Sequence, residues 1–288
     1  MKDIFAIQDE ITIKILKAMG EKLTHREQAS MVARGTRNLE AYLKLLLAYE
    51  HRNIFNKESQ ARFRQLSEEA IAMDSGYALA YSFAAVAIGN EVWLGAYKNP
   101  KEACQRAMEL AQKAVAIDDS LAQAHQNLGY IYIICNKDYE KGIAEGERAV
   151  ALEPNSAEAY TQLGIHLSWG GHPEEAIPIF KKAMRLSPIP PGRLVMNLAN
   201  AYRSIGQYEE AIPIYKKILQ EQPGQVLSRI SFAATLMLAG REDEARAEAA
   251  EVMRLDPKFS LERYAKALPF IQPEVDRVID ALRKAGLK

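Results

Sequence analysis

Four prolines, Pro154, Pro188, Pro223 and Pro257, close successive helical stretches at intervals of 34, 35 and 34 residues. A chain with such a period repeats one small supersecondary unit, and its fold follows from how copies of that unit bury one another. Between the prolines a small residue returns at Ala176, Ala211 and Ala245, followed four residues later by Phe180, Tyr215 and Ala249. The fullest copy starts at Ala157. Its Tyr160, Leu163, Gly164 and Leu167 fall on one face of a first helix, and Ala176, Phe180 and Ala183 on the matching face of a second. Gly164 and Ala176 are small enough to let the two backbones approach closely. One such pair cannot cover its own apolar faces, so pairs must stack.

Composition agrees with helices throughout. The 288 residues are 48% apolar, and no run alternates as a half-buried strand would. Second helices place acid early and base late, Glu174-Glu175 before Lys181-Lys182 and Glu209-Glu210 before Lys216-Lys217, the order a helix dipole favours. Aromatic, Leu-Gly, apolar, Ala, aromatic, Ala and Pro in this order at this period resemble the tetratricopeptide repeat family. The resemblance implies an all-α fold, a right-handed superhelix of stacked helix pairs.

Three regions are expected: an N-terminal helical segment over 1–35, an array of about five repeats over 36–257, and capping helices over 258–288. In the array, the repeat near Leu39 to Met73 is divergent. The next carries about ten extra residues near 93–101, where Asn99-Pro100-Lys101-Glu102 has the form of a helix start. Pro273-Glu274 opens the last helix. Pro178 and Pro213 stand about six residues into their helices and imply either a kink or a late start.

Residues Asp3 to Ile11, Lys22-Leu23 and Thr36 to Tyr42 resemble the junction between catalytic domain and tetratricopeptide array in bacterial class III adenylate/guanylate cyclases. The resemblance implies either a piece of a larger signalling protein or a stand-alone relative of its C-terminal half. The cyclase catalytic domain itself has no counterpart in this sequence.

Chemistry finds little purchase. With 37 basic and 37 acidic residues the net charge is zero, so neither nucleic acid nor a membrane surface is favoured as a partner. The start of the chain lacks a signal-peptide core, and no apolar run is long enough to insert into a membrane, so a cytoplasmic protein is expected. Cys104 and Cys135 read as small apolar residues in a reducing compartment, with no disulfide framework. His166 and His172 have poor ligand spacing; no metal, cofactor or catalytic constellation is expected. Asp118-Asp119 reads as a capping turn, and Gly170-Gly171, Gly206 and Gly240 as turns between paired helices.

Function is therefore expected on the concave face that first helices line in the tetratricopeptide family. Family positions carried onto this chain give a partner-binding groove of Gln126, Tyr130, Ile133, Thr161, Ile165, Trp169, Arg193, Met196, Asn197, Asn200, Arg203, Ile230 and Met237. Tyr130, Trp169, Met196, Arg203 and Met237 would form one stripe. Arg193, Asn197, Asn200 and Arg203 resemble part of the family's carboxylate clamp, but neighbouring repeats lack the rest. The expected function is a non-catalytic scaffold binding a protein or peptide segment, with self-association as a further partner mode. The alternative is a regulatory or oligomerising region of a larger signalling enzyme such as a nucleotide cyclase.

Overall fold

Asn38 caps the first described helix by accepting backbone N–H bonds from Glu40 and Ala41, which satisfies two of its orphan donors. From there the computed structural model describes residues 35–52 and 54–288, and the N-terminal segment read as helical over 1–35 lies almost entirely outside them. Among the described residues the chain forms fourteen helices and no strand. They fall into two compact units that meet in sequence between Leu152 and Glu153.

The first unit holds α1 (Leu39–Arg52), α2 (Lys57–Met73), α3 (Ala78–Trp93), α4 (Pro100–Ile117), α5 (Ala122–Asn136) and α6 (Tyr139–Leu152). The second holds α7 (Ala157–Trp169), α8 (Pro173–Leu186), α9 (Gly192–Ser204), α10 (Tyr208–Glu221), α11 (Val226–Leu238), α12 (Glu242–Leu255), α13 (Leu261–Ala267) and α14 (Gln272–Lys284). Ahead of the terminal α13 and α14, each unit thus contains three helix pairs, six in all where the period counts about five. The core lies between the helices of a pair, where Ala176, Phe180, Ala183, Ala211 and Tyr215 have no exposed surface. Gly171, Gly206 and Gly240 hold positive φ at the same turn of the three pairs of the second unit, a conformation that costs glycine little.

The extra residues near 93–101 lengthen both helices of the second pair. Asn99 accepts from the Glu102 N–H and Pro100 takes the first helical position, so α4 starts where its sequence specified. The added last turn of α3 is fixed by Glu91, a buried carboxylate that accepts from Arg64 Nε at 2.9 Å and from the Tyr97 hydroxyl at 2.5 Å.

Pro178 and Pro213 lie inside α8 and α10, which excludes a late start. Both are exposed, so the carbonyl each frees one turn back faces water rather than the core, and hydration offsets the missing bond.

The cysteines require a correction. Cys104 on α4 and Cys135 on α5 are joined by a disulfide, with Cα atoms 5.3 Å apart. They are a cross-link between consecutive pairs rather than packing residues, because the two helices bring positions 31 apart in sequence within bonding distance.

Candidate functional site

In the first unit the three expected groove residues are interior. Ile133 has no exposed surface, Gln126 has 1%, and Tyr130 donates its hydroxyl to Asn90 Oδ1 at 2.5 Å, which in turn ties to Gln60 on α2. This buried polar chain holds three helix pairs together.

In the second unit the expected residues divide. Thr161 bonds back to the Ala157 carbonyl, Asn197 bonds back to that of Arg193, and Ile165 and Ile230 are buried. Trp169 is also buried. Arg193, Met196 and Met237 keep accessible surface. Arg193 reaches from α9 to α7, where its guanidinium binds Glu158 at 2.7 Å and Gln162 at 3.0 Å. Beside it Ser228 points its hydroxyl at the Met196 sulfur, and Leu227 is 49% exposed. Apart from Met237 near the end of α11, the accessible expected residues of this face therefore lie in the N-terminal half of α9, beside those of α7 and α11.

The C-terminal halves of the same helices are engaged by the chain's own end. The Ile271 N–H donates to the Trp169 carbonyl at 3.0 Å, and the body of α14 packs on α11. Arg203, 2% exposed, donates to Asn200 Oδ1 at 2.9 Å and faces Glu274 of α14 at 3.4 Å. Ser204 donates to the same Glu274 oxygen at 2.8 Å, and Arg277 donates to the Arg203 and Ser204 carbonyls that end α9. Asn200 and Arg203 therefore belong to an internal polar cluster and present no open clamp. Sequence inspection could not place α14 here, since its contacts with Arg203 span about seventy residues and no local pattern encodes them.

Asn200 Oδ1 also accepts the Tyr215 hydroxyl at 2.7 Å. Burial pushes the Tyr215 phenol up to about 12, against which the Arg203 charge works. Its folded value stands above the unfolded one, so the associated stability is complete below about pH 10 and lost as pH rises from there through 12. Denaturant titrations between pH 8 and 12 should show a fall of about 2–3 kcal/mol from this group, absent in Tyr215→Phe. An identical alkaline slope in both proteins would refute the assignment.

One surface escaped the sequence reading. At the α1–α2 turn Tyr49, Ile54 and Phe55 are exposed, and Phe55 meets Trp93 edge-on with ring centroids 5.2 Å apart. Tyr49 stands seven residues after Tyr42, at a repeat position, but Ile54 and Phe55 follow none, so periodicity does not single out the surface they form.

Residues 202–268 match the family model described as Tetratricopeptide repeat. A protein of Rhizobium meliloti (strain 1021) named "Putative adenylate cyclase 3" is 34% identical over 131 residues, 44% of this chain. The match spans 22% of that relative's length. Among solved structures, a thermophilic TPR protein from Thermus thermophilus aligns with TM-score 0.55 and 19% identity, over 68% of this chain and 98% of its own. Cut9–Hcn1, an APC/C hetero-tetramer, aligns with TM-score 0.62 and 15% identity, over 86% of this chain and 43% of that one. At these identities the structural matches establish the all-α solenoid fold alone. No described helix is long and apolar enough to cross a membrane.

Proposed function

We propose that the chain is a tetratricopeptide repeat protein acting as a non-catalytic scaffold, one that binds a segment of a partner protein on the first helices of its second unit. The observation that supports this is the accessible row at the N-terminal halves of α7, α9 and α11. There Leu227 and Met196 offer apolar contact beside the Glu158–Arg193 ion pair. Such a mixture of apolar anchor and oriented charge suits recognition of a short segment. Of the expected groove residues, Arg193 and Met196 carry this reading.

The test is capture of a partner from the native host, with the bound segment mapped by cross-linking. Met196→Glu and Leu227→Glu, each with an unchanged melting curve, should weaken capture at least about tenfold. Equal capture by both variants would move the binding surface elsewhere, with Tyr49, Ile54 and Phe55 the next candidates.

A second reading is favoured by the match to the Rhizobium protein: the array serves as a regulatory or oligomerising region of a nucleotide cyclase. Sedimentation of the chain, and cyclase assays of a longer protein containing it with and without the array, test that reading. A monomer at all concentrations and cyclase activity indifferent to the array would reject it.

A further inference from the structure

The seat of α14 has the character of a ligand site as much as of a core. Its most buried polar group, Arg203, keeps Nε without any hydrogen-bond partner, and its contact with Glu274 is a long 3.4 Å. A buried guanidinium with an unused donor is a costly arrangement, and a helix offering a second acceptor there would be held better than α14 is. The Trp169 and Ser204 carbonyls at the ends of α7 and α9 accept from residues that arrive with α14, Ile271 and Arg277. At the entry, Gly171 lies so close to Ile271 that a Cβ there would come within 2.6 Å of its terminal methyl, so this turn is shaped around an incoming aliphatic side chain. α14 itself is amphipathic: Val275, Val278, Ile279 and Leu282 are buried while Asp276, Asp280 and Lys284 face outward.

We propose that this seat is a binding site for an amphipathic helix of a partner protein, and that α14 is its resident competitor, closing the site until such a helix displaces it. The chemistry of the seat defines the occupant. Its first turn carries Glu, for Arg203 and Ser204, and three residues on Arg, for the free carbonyls of α9. An apolar face follows, and a further acidic or amide acceptor reaches Arg203 Nε. The inference rests on the reading that first helices of the second unit receive a partner segment, and extends it to the half of that face which α14 covers.

Two measurements on the full chain test it. In hydrogen exchange of the unmodified protein, amides of α14 should exchange by local opening, at least about tenfold faster than those of α11. Exchange of both helices in a single global step would make α14 an integral cap and overturn the proposal. In the second, a fluorescein-labelled peptide of residues 268–288 is titrated into the full chain and into Val278→Asp, a change on the apolar face of α14 that leaves the seat untouched. Freed of its competitor, the variant should bind the peptide about tenfold more tightly than the parent, and Glu274→Ala should behave alike. A peptide carrying Lys in place of Glu274 should lose that gain. No binding to either variant, both folded by circular dichroism, would overturn the proposal. A concentration-dependent dimer of the parent, dissociated by the peptide, would overturn the choice of occupant in favour of a second copy of this chain. Peptide binding reports on this seat alone, so it can succeed while the Met196 and Leu227 variants capture a host partner normally, and the two readings fail separately.

Discussion

Reduction of the Cys104–Cys135 bond, or Cys104→Ala, is expected to lower the stability of the first unit by about 3–4 kcal/mol, the loop-closure value for two residues 31 apart. For a unit of this size that corresponds to a drop in melting temperature of roughly 10 °C. The bond joins the second helix of one pair to the first helix of the next, so it opposes separation of pairs rather than fraying of one helix. Both sulfurs lie in half-buried positions, which makes the bond reachable by a small reductant without unfolding. Melting curves with and without reductant provide the measurement, and thiol titration under native conditions provides the control. Two titratable thiols before any reductant is added, with no change in melting temperature after it, would contradict the cross-link.

The array was legible because its signals are local. The proline period, the Ala and aromatic positions of second helices, and the Asn99-Pro100 start all act through neighbours within a turn or two, and each reappears in the structure at its expected place. The cysteine pair was not legible, since two residues 31 apart give no sign of meeting until both helices are placed. The prolines at 178 and 213 were only half legible. Propensity warned of a cost, but the exposed side of the helix that makes the cost tolerable is a property of packing.

The groove was the least legible part, and the reason is physical. Family positions name the face of a first helix, but whether that face meets solvent depends on what else lies on it. Trp169 and Arg203 have the residue types of interface anchors, yet Ile271 and Glu274 arrive from the end of the chain and engage them. Arg193 and Met196, at the other end of α9, remain accessible, whereas α14 bonds that helix at Arg203 and Ser204 in its last turn.

The steepest loss of stability in the second unit is expected at Phe180, whose ring is fully buried against Gly164 of the facing helix. Phe180→Ala should cost about 3–5 kcal/mol, because the rigid pair α7 and α8 cannot collapse into the space a ring leaves. The partner residue is constrained in the opposite sense. A Cβ at Gly164 would lie 2.6 Å from Cε1 and 2.7 Å from Cδ1 of that ring, so Gly164→Ala forces the helices or the ring to shift. The clash costs about 1–3 kcal/mol, against which alanine's better helix propensity returns only about 1 kcal/mol. Coupling between the two sites follows directly: Gly164→Ala combined with Phe180→Leu should be less destabilising than the sum of the single changes by about 1 kcal/mol, since the smaller side chain clears the new methyl. Denaturant unfolding of the four proteins measures this. Strict additivity would mean that Gly164 serves some need other than the approach of α7 to the Phe180 ring, and the close packing that defines the repeat would then rest on Ala176 alone.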